Sequence, residues 1–124
     1  GKKRKFAKAL SIDAYDTLPE GERYLAIQAT SVGMYPDCDA AVIEDPTFYK
    51  RVHTGYDLIF NPPKTRFMEL VEAQGGEAYN GAKMLLYQGI IAFELWTGCQ
   101  VEPWLADKVY ERMQKAKKTE EIKK

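Results

Sequence analysis

From Tyr24 to Tyr79 the chain alternates apolar runs with helical periodicity, and glycine or proline marks most changes of state. Tyr24 to Ala29 (YLAIQA) is almost continuously apolar, as in a strand covered on both faces. It ends in a turn-rich loop from Thr30 to Pro36. Tyr56 to Phe60 (YDLIF) predicts a second strand. Asn61-Pro62-Pro63 stops it, because proline has no N–H for a ladder and restricts the residue before it. Thr65 then suits the N-cap of a helix with Phe67, Leu70, Val71 and Gln74 at helical spacing, closed by Gly75-Gly76. Glu77 to Tyr79 predicts a third strand, ending at Asn80-Gly81. Strands alternating with helices predict an α/β fold with a mostly parallel sheet flanked by helices.

The flanks read less evenly. Phe6 to Leu10 predicts a short strand. Ser11 is expected to cap a brief helical segment, SIDAYDTL, with Asp13 placed to favour the helix dipole, and Pro19-Glu20-Gly21 breaks it. In residues 37–55, Asp45-Pro46 marks a break and Phe48 to Val52 predicts one helical turn. Met84 to Thr97 predicts a helix that is apolar on almost every side, hence buried on more than one face, with Gly98 ending it. Val101 to about Lys117 predicts an amphipathic helix with Leu105, Val109, Arg112 and Met113 along one stripe. Pro103 sits in its first turn, where proline is tolerated. The closing stretch, KKTEEIKK, is mixed in charge and expected to fray.

A length of 124 residues suits one domain with one modest core. The 18 basic and 18 acidic residues cancel, which argues against broad attraction to nucleic acid or a membrane surface. No apolar run approaches the roughly 20 residues that span a bilayer. Cys38 and Cys99 stand far apart without a CxxC, as expected of reduced thiols in a cytoplasmic protein. The chain begins at Gly1 inside a basic cluster (GKKRK), which suggests a trimmed piece of something longer and a solvated stub.

Little overt chemistry is visible. His53 is the single histidine and has no acid or nucleophile placed beside it by sequence. No metal-ligand spacing, GxGxxG or P-loop is present. Two places stand out. Thr30-Ser31-Val32-Gly33-Met34 follows a strand, where ligands of open α/β sheets bind; an ordinary turn is the plain alternative. Gln88 lies mid-helix among apolar residues, where an amide needs partners. It could serve a polyhydroxylated ligand or simply bond to backbone.

The same places carry a resemblance. Asn80-Gly81-Ala-Lys-Met84-Leu-Leu-Tyr-Gln88-Gly-Ile-Ile-Ala-Phe93-Glu-Leu-Trp96-Thr-Gly98 resembles the signature near the end of shikimate dehydrogenases. Ala29-Thr30-Ser31-Val32-Gly33-Met34 resembles the family's Asn-Ala-Thr-x-x-Gly-Met segment, and Asp57-Leu58-Ile59-Phe60-Asn61-Pro62 its Asp-x-x-Tyr-x-Pro segment. All three stand in the family's order and at about its spacing. The resemblance implies the second half of a Rossmann-like NADP-binding domain with two C-terminal helices, from an enzyme reducing 3-dehydroshikimate to shikimate. It divides the chain into a stub (1–5), a partial NADP-binding unit (6–81), closing helices (82–117) and a charged tail (118–124).

By position, the resemblance puts Thr30, Ser31 and Met34 along the cofactor groove and the backbone of Leu58 and Gly81 at the nicotinamide half. Phe60 and Gln88 fall at substrate-contacting positions. There are departures. Phe60 replaces a tyrosine, Gln28 an asparagine, and Lys83 a common glycine. The family's catalytic lysine and aspartate lie in an N-terminal domain, and its glycine-rich turn precedes Phe6. No catalytic or metal-binding residue is therefore assigned in this chain, which is expected to be inactive alone. The rival expectation is a non-catalytic half-domain that binds or assembles. On the family's strand order, YLAIQA would present a bare sheet edge, to be covered either by Phe6 to Leu10 moving in beside it or, as favoured here, by a homodimer or strand exchange.

Overall fold

The computed structural model describes residues 7–122. Three strands, β1 (Tyr24–Gln28), β2 (Val52–Asp57) and β3 (Glu77–Tyr79), form a parallel sheet in the order β1-β2-β3. A single turn of helix, α1 (Pro46–Tyr49), precedes β2, and α2 (Arg66–Ala73) crosses from β2 to β3. Two longer helices follow, α3 (Ala82–Thr97) and α4 (Pro103–Ile122), and they pack on each other. None of the described helices is long and apolar enough to cross a membrane.

The sheet and α2 meet through a match of small and large residues. Ala26, Gly55 and Ala78 lie side by side across the three strands. Phe67 and Val71 of α2 press onto them, and Val71 is fully buried. A Cβ at Gly55 would stand 2.7 Å from Val71 Cγ2, so this glycine is required by close approach. Tyr49, Val52, Met68 and Leu70 complete the core. Each such large side chain contributes roughly 1.5–3 kcal/mol by leaving water. Burial, with Glu44 adding a smaller effect, pushes the Tyr49 phenol up, and its hydroxyl donates to the Ile43 carbonyl at 2.5 Å.

The expected punctuation of α2 is present. Thr65 Oγ1 accepts the Met68 N–H at 3.3 Å, and Gly75 takes φ +81° beyond the last turn. Gly98 ends α3 with φ 69°, its N–H donating to Glu94 O at 2.9 Å. The segment after Ser11 forms a 3₁₀ helix over Ile12–Thr17, with no cap bond from the Ser11 side chain.

Several expectations are corrected. The second strand lies at Val52–Asp57 and not at Tyr56 to Phe60. His53 and Gly55 hide it from strand propensity, while apolar Leu58, Ile59 and Phe60 lie beyond the strand end in the following loop. Within the run expected at Phe6 to Leu10, residues 7–10 form no strand and are exposed; Phe6 lies outside the described residues. β1 is covered on one face only, leaving Leu25 and Ile27 54% and 61% exposed. Tyr56 and Tyr79 lie on that same open face, their rings stacked 6.5 Å apart.

Helix α3 likewise buries only Ala82 and Leu86, while Leu95 and Trp96 stand 79% and 85% exposed. Its all-round apolarity calls for more covering surface than α4 supplies. α4 continues to Ile122, into the stretch expected to fray. Lys123 and Lys124 lie outside the described residues.

Candidate functional site

Parallel pairing brings the C-terminal ends of β1 and β2 together, so the loops that follow them face each other. Between them lies a cleft of about 410 Å³, lined chiefly by Thr30, Ser31, Met34, Leu58, Phe60 and Asn61. The Tyr35 N–H donates to Asn61 O at 3.2 Å, joining the two loops at one side. Five residues singled out from sequence, Thr30, Ser31, Met34, Leu58 and Phe60, thus share one cavity.

Gly81 packs against the Leu58 backbone. Its N–H donates to Ile59 O at 2.9 Å, and a Cβ there would overlap the Leu58 carbonyl. Its φ is −81°, an ordinary value, so the requirement is for space and not for backbone freedom. α3 begins here, with Ala82 N–H bound to Asn80 Oδ1 at 3.0 Å.

Gln88 lies elsewhere. It is exposed and lines a second groove, of about 450 Å³, between α3 and α4, with Leu85, Phe93, Val101, Leu105 and Met113. The amide therefore meets water and needs no buried partner, which corrects the expectation drawn from its apolar neighbours. His53 is exposed as well, with the Thr54 hydroxyl 2.8 Å from Nδ1.

Sequence reasoning missed what supports the cleft. Asp57, fully buried at the end of β2, accepts three hydrogen bonds. They come from the Gln28 amide at 3.2 Å, the Ile59 N–H at 3.0 Å and the Thr65 hydroxyl at 2.6 Å. Gln28, also buried, accepts from the Thr30 N–H at 2.5 Å and the Thr30 hydroxyl at 2.6 Å, while its amide also donates to Val32 O at 3.2 Å. An aspartate inside the run YDLIF was the available signal, because a buried carboxylate must find donors.

Comparison with known proteins follows the same outline. Residues 81–114 match the family model described as the shikimate 5'-dehydrogenase C-terminal domain. A shikimate dehydrogenase (NADP(+)) from Methanopyrus kandleri is 39% identical over 93 residues, covering 74% of this chain and 32% of that protein. The chain thus spans about a third of that relative's length. Among solved structures, a chorismate mutase/shikimate 5-dehydrogenase fusion protein from Clostridium acetobutylicum superposes with a TM-score of 0.77 at 26% identity, over 85% of this chain and 37% of that one. A shikimate 5-dehydrogenase from Listeria monocytogenes, solved with shikimate and NAD, gives a TM-score of 0.69 at 30% identity, over 82% of this chain and 35% of that one.

Proposed function

The chain carries the C-terminal portion of the shikimate dehydrogenase family, and from that premise we propose that it forms one wall of an NADP groove and part of the substrate site in an enzyme reducing 3-dehydroshikimate to shikimate. The observation that carries this reading is the cleft at the strand ends, where Thr30, Ser31, Met34, Leu58 and Phe60 converge and Gly81 presses on the Leu58 backbone. In the proposal, residues 6–81 supply the cofactor unit and residues 82–117 the closing helices. Thr30, Ser31 and Met34 line the cofactor groove, with the backbone of Leu58 and Gly81 against the nicotinamide half. Phe60 from the cleft and Gln88 from the separate groove between α3 and α4 are the two residues proposed to meet the substrate. Phe60 offers an apolar ring without a phenolic hydroxyl, so substrate hydrogen bonding falls more heavily on Gln88, whose amide can both donate and accept.

The chain's own part in the reaction is then positional. The cleft walls hold the nicotinamide half, and Gln88 orients the polyhydroxylated ring. NADP, when bound, supplies or accepts the hydride. By the family resemblance, the lysine and aspartate that handle the proton belong to residues outside this chain, so the chain alone is proposed to be inactive. A cytoplasmic setting accords with the free thiols of Cys38 and Cys99.

A chimera tests the proposal. Residues 6–117 would replace the matching portion of the Methanopyrus kandleri relative. The chimera should oxidise shikimate with NADP+, and Gln88→Ala within it should lower kcat/KM by roughly one to two orders of magnitude, the loss of one or two ligand hydrogen bonds. A folded chimera without turnover contradicts the assignment.

A second reading rests on the open face of β1, where Leu25 and Ile27 are exposed at the sheet edge. Such an edge favours pairing with a second copy of the chain. Sedimentation over a range of concentrations decides it: a self-associating species supports the homodimer, and a strict monomer at tens of micromolar (of order 10⁻⁵ M) removes it.

A further inference from the structure

We propose that Gln28 is a positioning residue that locks the two walls of the cleft to each other through Asp57. The ligand half of this inference rests on reading the cleft as a cofactor groove. Gln28 is the last residue of β1, and Asp57, its partner in register, is the last of β2. Each side chain holds the loop that leaves its own strand. Gln28 Oε1 takes the Thr30 N–H and hydroxyl, and Gln28 Nε2 gives to Val32 O. Asp57 Oδ1 takes the Ile59 N–H.

One side-chain bond then joins the two assemblies, Gln28 Nε2 to Asp57 Oδ1 at 3.2 Å, beside the backbone bond from the Leu58 N–H to Gln28 O at 3.0 Å. Both side chains are buried, at 7% and 0% exposure, and the described residues leave no buried side-chain N or O atom without a partner. The length of glutamine matters. Its amide reaches over the Thr30–Val32 turn and still meets the neighbouring strand. Thr30 and Ser31 on one wall, and Leu58 and Phe60 on the other, are therefore tied by this amide at the strand ends, in addition to the backbone bonds from Leu58 N–H to Gln28 O and from Tyr35 N–H to Asn61 O. A fixed spacing gives a ligand walls that need not be ordered on binding.

Polarity distinguishes this role from mere packing. Gln28→Glu keeps the acceptor for Thr30 but removes both Nε2 donors and sets two carboxylates side by side. Adding Asp57→Asn restores a donor between the same two positions. Nicotinamide mononucleotide is the probe, followed in the 124-residue chain by amide NMR together with hydrogen exchange at Thr30 and Ile59. Gln28→Glu should speed exchange at both amides and weaken mononucleotide binding about tenfold. The double variant should recover most of the binding and the slow exchange at Thr30 but not at Ile59, because the nitrogen that restores the link takes the place of the oxygen that accepts the Ile59 N–H. Gln28→Asn, one methylene shorter, should show the same losses and serves if Gln28→Glu does not fold. A double variant no better than Gln28→Glu, or single variants equal to the parent chain, overturns the positioning role. If the parent chain fails to bind the mononucleotide while exchange follows the stated order, the cofactor-groove reading fails and the positioning of the loops stands.

Discussion

The Thr65 hydroxyl donates to Asp57 Oδ2 at 2.6 Å and accepts the Met68 N–H at 3.3 Å, so one side chain joins the start of α2 to the end of β2. Both partners are buried, so water does not reach the bond in the folded chain. Thr65→Val keeps the shape and removes the hydroxyl. It should cost about 2–4 kcal/mol, combining a lost cap with an unsatisfied buried acceptor. Thr65→Ser should cost much less. Urea unfolding followed by circular dichroism measures both, and equal losses would show that packing, not the hydroxyl, matters at this position.

Gly81 and Gly89 make opposite predictions for the same change. Gly81→Ala drives a methyl into the Leu58 carbonyl, so the amides of Leu58 and Ile59 should shift strongly and stability should fall. Gly89 lies within α3 with open space around its Cα, and Gly89→Ala should stabilise the chain by about 0.5–1 kcal/mol. Thermal unfolding of the two variants checks the pair. A neutral Gly81→Ala would remove the close approach of α3 to the cleft.

Tyr49 makes stability sensitive to alkali. Its phenol is pushed up in the folded chain by burial, so the folded state holds a proton that the unfolded state loses near pH 10. The sign follows: this contribution is fully present below about pH 10 and declines as pH rises toward the folded value, by up to about 1.4 kcal/mol per pH unit. Tyr49→Phe loses the bond to Ile43 O but also this dependence. Denaturation midpoints of the two proteins should converge between about pH 10 and pH 11.5. Parallel curves would contradict the burial argument.

The parts of the fold legible in the sequence are those fixed by local chemistry. Thr65, Gly75 and Gly98 act within a turn of where they stand, and each marks the helix end that its residue type implies. Gly55 was not legible. It sits mid-strand because Val71 of α2 comes within reach of its Cα, and that contact exists only once the chain has folded. The same holds for Gln28 and Asp57, 29 positions apart and joined through strand register. Apolarity misled for α3, because it reports a need for covering surface and not what provides it; Trp96 and Leu95 remain exposed. Thr30, Ser31 and Met34 stood out because they follow a strand, whereas Leu58 and Phe60 were named through family resemblance, and nothing local in Leu58 distinguishes it from an ordinary loop residue.

The most direct test of the cofactor groove is titration of the ¹⁵N-labelled chain with NADP+. Amide shifts should concentrate at Thr30, Ser31, Leu58 and Gly81 around the cleft, leaving Leu105 and Val109 of α4 unmoved. Saturating NADP+ without shifts at the cleft, or with shifts gathered in the groove between α3 and α4, would contradict the assignment of the strand-end loops to the cofactor.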